Sequence, residues 1–260
     1  MLDRRVPDAG LLEILLLSAV ALVAGTLDAI GGGGGLLTVP ALLGAGLPPH
    51  LALGTNKGQS SFGAVSSAAS YWRGKGVDRD RAPLAFVCGI AGAVLGAFLQ
   101  LHVKPEPLKP IALVLLLAAA AVVALRPLVM KKVAHPHAVR APNTRLAAIA
   151  LTIGCYDGFF GPGTGSLLIV AFVTFHGDTM TRASGNAKIV NLASNLASFA
   201  IFAWKGTILW AIALPMALSN AIGAMLGART AMKHGDAFVR VVVLVVVVAL
   251  VVKLGFDLFR

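Results

Sequence analysis

The chain is poor in nearly everything a soluble enzyme uses. Only two of its 260 residues are cysteine, and Cys88 and Cys155 each sit inside an apolar stretch, far from any metal-ligand spacing. They read as small core residues. Charged residues make up 13% of the chain, and no His/Asp/Glu cluster or nucleophile–base spacing recurs in the apolar stretches, so a catalytic centre has no parts to be built from. The glycine-rich runs at 31–35 and 160–166 follow no strand and lack a Gly-Lys-Ser/Thr ending, which excludes dinucleotide and P-loop readings. No cofactor and no resident metal are expected. His135 and His137, two residues apart in a polar loop, are too few for a metal site.

Apolar residues fill the space. A 57% hydrophobic content and a mean hydropathy of +0.85 exceed what one soluble core can bury. The expected fold is therefore an all-α polytopic membrane protein. Stretches near the ~20 residues needed to cross the hydrocarbon lie at about 11–30, 52–72, 83–101, 108–129, 146–160, 183–204, 207–228 and 237–259, which gives about eight spans. An N-terminal signal peptide is rejected, because Glu13 interrupts the would-be apolar region and no small-x-small site ends it.

Basic residues outnumber acidic ones by 22 to 11. In a soluble domain that surplus would suggest nucleic acid, but here most of it lies between apolar segments and reads as a topology signal. The expected partners are membrane lipid and a small solute, with no nucleic acid; a homo-oligomer is compatible with the composition. Counting crossings puts Arg4 and Arg5, the Arg73–Arg81 loop and the basic link after the fourth span on one side. That side is expected to be the cytoplasmic face of the plasma (inner) membrane, with both termini there.

The chain is also duplicated. Asp28, Gly32 and Gly34 match Asp157, Gly161 and Gly163 at an offset of 129; Gly54, Lys57, Gly92 and Gly96 match Gly185, Lys188, Gly223 and Gly227 at 131; Trp72 matches Trp204 at 132. The landmarks keep their order. The expected organisation is a first repeat at 1–129, a basic linker at 130–145 and a second repeat at 146–260, the kind of duplication from which secondary transporters are built. Whether the repeats are parallel or inverted depends on whether the short segment after each glycine run counts as a crossing.

Each repeat should begin with an interrupted helix, since 11–46 is too long for one crossing and five glycines break it. Glycine costs roughly 1 kcal/mol in a helix interior, and freed backbone is tolerated at membrane depth only beside protein or a wet cavity. A break lining a site justifies that cost. The half-helix after each break points a positive dipole end at the site, which suits an anion. Gly33, Gly34 and Gly35 in one half, and Gly163, Thr164, Gly165 and Ser166 in the other, are the candidate binding backbone.

Polar residues then open otherwise apolar spans: Thr55, Asn56 and Lys57 in one half, Asn186, Lys188 and Asn191 in the other. A lysine inside the membrane costs about 2.5 to 3.5 kcal/mol even on the mild insertion scale, so it faces an interior partner, and a bound anion would be one. Asp28 and Asp157 precede the breaks. They could pair with the lysines, cap the freed N–H groups, or couple transport to protons, since a carboxylate taken out of water holds its proton more readily.

The stretches GTLDAIGGGGGLLTVPAL with GTNK, and GCYDGFFGPGTGSLLIVAF with ASGNAKIVNLASN, resemble the TauE/SafE family of membrane permeases, the sulfite exporters. The likeness covers nearly the whole chain. It implies a duplicated helical bundle in the plasma membrane that moves small sulfur-containing anions such as sulfite, thiosulfate or organosulfonates, with Asn56, Lys57, Asn186 and Lys188 at the family's polar motif positions. A gradient-driven permease is the leading expectation, with a passive anion channel or a permease for another small anion as its alternative.

Overall fold

The computed structural model describes residues 10–104, part of 106–121, and 142–258. Most of the basic linker and much of the expected span 108–129 lie outside the described residues. The rest is helical: α1 Leu11–Gly31, α2 Gly35–Gly44, α3 Pro49–Arg73, α4 Ala82–His102, α5 Asn143–Phe159, α6 Thr164–His176, α7 Met180–Trp204 and α8 Trp210–Leu258, the last bent at Gly235. Four stretches are long and apolar enough to cross a membrane, namely α1, α4, α7 and Trp210–Gly235. Leucines and valines such as Leu15, Val87, Leu95 and Leu218 stay exposed on α1, α4 and α8, as a lipid-facing surface requires.

α3 is as long as α7 at 25 residues, but its composition is too polar to qualify as a span. Its burial supplies the reason. From His50 to Gln59 every residue of α3 is buried, and α7 is buried without interruption from Ala183 to Asn191, so these two helices form the centre and need no lipid-compatible face.

Both helix breaks occur where expected. α1 stops at Gly31, and Gly32 and Gly33 take φ values of 74° and 105°; α5 stops at Phe159, and Gly161 and Gly163 take 97° and 83°. These left-handed conformations suit glycine alone. The breaks lie back to back: a Cβ on Gly32 would overlap the backbone of Gly165 and Ser166, while Ser166 Oγ donates to Gly31 O at 2.9 Å.

After its break, the chain doubles back. Leu42 and Leu47 pack beside Leu17 and Ala21, so α2 retraces α1 and α3 then runs parallel to it, with Tyr71 near the end of α3 donating to Ala29 O near the end of α1. Contacts fix the other directions. Gly54, Gly63 and Gly74 of the first half meet Thr207, Asn220 and Met232 in order, so α3 and α8 are parallel; Gly185 near the start of α7 meets Tyr71 and Gly76 at the end of α3, so α3 and α7 are antiparallel. Equivalent helices of the two halves thus point in opposite directions. The repeat is inverted, about a pseudo-two-fold axis lying across the helices.

That arrangement corrects the crossing count made on sequence. α1 and α3 were counted as antiparallel crossings, which placed the chain start beside the Arg73–Arg81 loop; in the structure the start of α1 and the end of α3 lie at opposite ends. The half-helix α2 makes the return that the count omitted. Trp72 and Trp204, equivalent in the repeat, accordingly fall at opposite ends, with the Arg79 guanidinium 5.2 Å from one ring centre and the Lys205 ammonium 4.6 Å from the other, as interfacial aromatics do.

The halves also interlock. α1 packs chiefly on α8, and α5 packs chiefly on α4. Gly92 and Gly96 let α4 approach the backbone of Leu151 and Cys155, while Gly223 and Gly227 let α8 approach Leu22 and Thr26 in the same way. Gly96→Ala should therefore lower the thermal stability of the detergent-purified protein, since its Cβ would meet Cys155 O; an overpacked contact costs about 1 to 3 kcal/mol. Gly44→Ala, where the added carbon meets nothing within 4 Å, should leave stability unchanged.

Candidate functional site

The doubling of α1–α2 and α5–α6 brings the last turn before each break against the central helices of the other half. Asp28 and Asp157 occupy those turns. Lys57 Nζ lies 2.7 Å from Asp157 Oδ1, and Lys188 Nζ lies 2.6 Å from Asp28 Oδ2. Each lysine is thus paired with the carboxylate of the opposite repeat, so that of the roles open to the aspartates on sequence, pairing with the lysines is formed at both. Such pairing offsets much of the cost of taking four charges out of water.

The two carboxylates differ in their surroundings. Asp157 is 2% exposed and accepts from four side chains: Lys57, Thr164 Oγ1 at 3.0 Å, Asn191 Nδ2 at 3.3 Å, and Ser194 Oγ. Asp28 is 27% exposed. Its Oδ1 accepts from the backbone N–H groups of Gly33 and Gly34 at 3.1 and 3.2 Å, so it caps the first break and holds Lys188 at the same time.

Between the pairs opens a small polar cavity, bordered by Asp28, Gly34 and Gly35 on one wall and by Asp157 and Gly161 on the other. α3 contributes Asn56, Lys57, Gln59 and Ser60, α7 contributes Asn191 and Asn195, and α8 contributes Asn220. The lining is rich in carboxamides. Asn56 Oδ1 accepts from Thr38 Oγ1 at 2.6 Å and from Gln59 Nε2 at 3.0 Å, while Ser60 Oγ donates to Asn195 Oδ1 at 2.8 Å and ties α3 to α7. Gln59 Oε1 is buried and has no partner among the described residues. The wall therefore offers both N–H donors and an acceptor.

Several candidate residues stand away from this lining. Thr55 Oγ1 accepts from Leu209 N at 3.0 Å, and Asn186 Oδ1 accepts from Asp78 N at 2.8 Å. These equivalent residues hold equivalent loops of the opposite half. Lys188 is fully buried behind Asp28; Thr164 serves Asp157, and Gly165 and Ser166 serve the contact between breaks. Gly33 is engaged through its N–H, and Gly163 supplies the turn into α6. Gln59, Ser60, Asn195 and Asn220 join the site beyond the expected set. For Asn195 the signal was its four-residue spacing from Asn191; Asn220 had none, because its partner is a space vacated at Gly63, where a Cβ would collide with Asn220 Oδ1.

The end of α3 is tied to the start of α7 by charge. Arg81 pairs with Asp78 at 2.8 Å and with Asp178 at 3.3 Å, Arg182 reaches Asp78 at 3.1 Å, and Asn186 Nδ2 donates to Asp178 at 2.8 Å. Burial by itself would raise the Asp78 carboxyl, but Arg81, Arg182 and the N–H groups of Arg81 and Asp80 outweigh it and hold the group below the ordinary carboxylate value. The equivalent loop at the other end carries Lys205, stacked on Trp204, and no ion pair among the described residues; Phe62, Phe199 and Trp210 pack edge to face beside it.

The model of the sulfite exporter TauE/SafE family matches residues 17–254. A "Probable membrane transporter protein ORF9" from Sinorhizobium sp is 38% identical over 245 residues, covering 94% of this chain and 93% of that relative. A "Probable membrane transporter protein" from Haemophilus influenzae is 36% identical over 252 residues, 96% of this chain and 97% of its own; "YfcA" from Escherichia coli strain K12 is 33% identical over 238 residues, 92% and 88%. No solved structure matches this chain.

Two predictions follow from the geometry. Lys57→Met leaves Asp157 charged and buried, which should cost about 3 to 5 kcal/mol, and adding Asp157→Leu should recover most of it; chemical denaturation in detergent reads both. Because the folded chain binds the Asp78 proton less tightly than the unfolded one, the loop tie contributes fully above the ordinary carboxylate range and is lost as pH falls through the lowered value. Asp78→Asn should flatten the acid limb of a thermal-stability profile, and an unaltered limb would refute this role.

Proposed function

We propose, from the premise that this chain belongs to the sulfite exporter TauE/SafE family, that it is a secondary transporter of small sulfur-containing anions, driven by an ion gradient across the inner membrane. The observation that carries this reading is the pair of cross-half lysine–carboxylate contacts bordering one polar cavity between two broken helices. The chain contains no nucleotide-hydrolysing motif, so the work comes from a gradient.

Inverted repeats give the mechanism its form. If the two halves exchange conformations, the central cavity opens to one side and then the other, with α3 and α7 sliding against each other between the ionic end and the aromatic end. The carboxamides of Asn56, Gln59, Asn191 and Asn195 replace part of the anion's hydration, and Lys57 and Lys188 supply the opposing charge. Protons are the proposed coupling ion, carried by Asp28 or Asp157.

Orientation follows from charge. Among the described residues from 10 to 235, and apart from the two core lysines, Arg73, Lys75, Arg79, Arg81, Arg145, Arg182, Arg229 and Lys233 belong to one end and Lys104 and Lys205 to the other. The first end is proposed to face the cytoplasm, which puts the start of α1 outside.

Proteoliposomes holding the purified chain should accumulate sulfite or thiosulfate against its gradient when a proton gradient is imposed. Lys57→Ala and Lys188→Ala should each cut the initial rate at least about tenfold, roughly 1.4 kcal/mol of barrier. Parental rates in both variants would overturn the site, and flux that only ever runs downhill would make the protein a channel.

A further inference from the structure

The duplication allows the two carboxylates to be compared donor by donor. The three uncharged side chains that serve Asp157 are Thr164, Asn191 and Ser194. Their repeat equivalents are Gly35, Ser60 and Gly63, at offsets of 129, 131 and 131. Two of these have no side chain to donate. The third, Ser60, donates to Asn195 instead. Asp28 has lost every uncharged side-chain donor its counterpart keeps, and Lys188 is the one partner of its Oδ2 among the described contacts.

Exposure divides the same way, at 27% for Asp28 against 2% for Asp157. The space vacated on the first side is partly filled by Asn220, whose Oδ1 stands against Gly63 and whose Nδ2 donates to Ala21 O at 3.2 Å. Asn220 thus borders the cavity without bonding to Asp28.

Resting on the transporter reading above, we infer that the two pairs have divided the work: Lys57–Asp157 is a fixed tie between the halves, while Asp28 is the exchangeable member that takes a proton and releases Lys188 to an oxygen of the anion. The step balances in charge. An aqueous proton enters Asp28 Oδ2, the Lys188–Asp28 contact opens, and the anion's negative oxygen takes the place of the carboxylate; one proton and one monoanion bind together, and both leave to the other side. The charged groups around Asp28 are Lys188 on α7 and, across the cavity, Lys57 and Asp157; the Tyr71 hydroxyl of α3 lies nearby, bonded to Ala29 O. Asp157 is poorly placed for the same task, because protonation would set a new donor against three side-chain donors and an ammonium already directed at it.

Infrared difference spectra of the reconstituted chain, recorded while pH is lowered, report carboxylic-acid formation with no substrate present. The parent should show a carboxylic-acid component that is missing in Asp28→Asn, over and above the signal of other carboxyls such as Asp78. It should also weaken in Ser60→Asn, which restores the donor that Asn191 gives the other carboxylate and leaves both acids in place. Ser194→Ala should leave the band unchanged. Binding of sulfite and of a short alkylsulfonate is read by thermal stabilisation; for the sulfonate, a monoanion throughout, it should tighten about tenfold per pH unit on acidification in the parent, as one linked proton requires, and vary less than about twofold in Asp28→Asn. Identical acid bands in the parent and in Asp28→Asn overturn the assignment. If the band behaves as stated but neither sulfite nor the sulfonate stabilises the parent, the sulfur-anion reading fails and the division of labour stands.

Discussion

Four charges held out of water in two crossed pairs are the constraint on which the rest of this molecule depends. Neither lysine has a carboxylate partner in its own repeat, so the ammonium groups can be accommodated only when the halves come together. The inverted arrangement, the doubling back at each glycine run and the back-to-back contact of Gly32 with Gly165 all serve to bring an aspartate at the end of a broken helix to a lysine two turns into the other half's central helix. The cavity is what remains between the pairs.

Symmetry of backbone and asymmetry of side chains coexist here. Equivalent glycines on α4 and α8 admit equivalent helices, and Thr55 and Asn186 hold equivalent loops, so the scaffold is two-fold down to single hydrogen bonds. The polar interior departs from that pattern. On the proposed transport cycle, a symmetric scaffold would give the two conformations similar energies, and the differing half-sites let the two carboxylates take different roles. The ends differ as well, one closed by Arg81, Asp78, Asp178 and Arg182 and the other by stacked rings.

Much of this was legible in the chain itself. The glycine runs marked both breaks because few other residues tolerate left-handed backbone at four positions, and the buried lysines stood out because apolar neighbours make charge conspicuous. Which aspartate meets which lysine was not legible, since either half contains one of each at a similar spacing, 29 and 31 residues, and pairing within a half fits the sequence equally well. The return of α2 along α1 was hidden too: a run of glycines says that a helix stops without saying where the next one points, and that omission put the start of α1 at the same end as the Arg73–Arg81 loop. Asn220 and Gly63 form their contact across 157 positions, beyond the reach of periodicity.

The interlocking of the halves bears on how the chain is made. α1 finds its main neighbour in α8, and the bond from Asn220 to Ala21 spans 199 positions, so during synthesis the first helix must wait in the bilayer until nearly all the others have arrived. Its apolarity, a mean hydropathy of 2.1, lets surrounding lipid hold it in the interim. Glu13 sits in its first turn, whereas Asp28 lies in its last turn and its ammonium counterpart is 160 positions away. The first helix therefore enters the bilayer with an acid at its tip whose partner is made only much later in the chain.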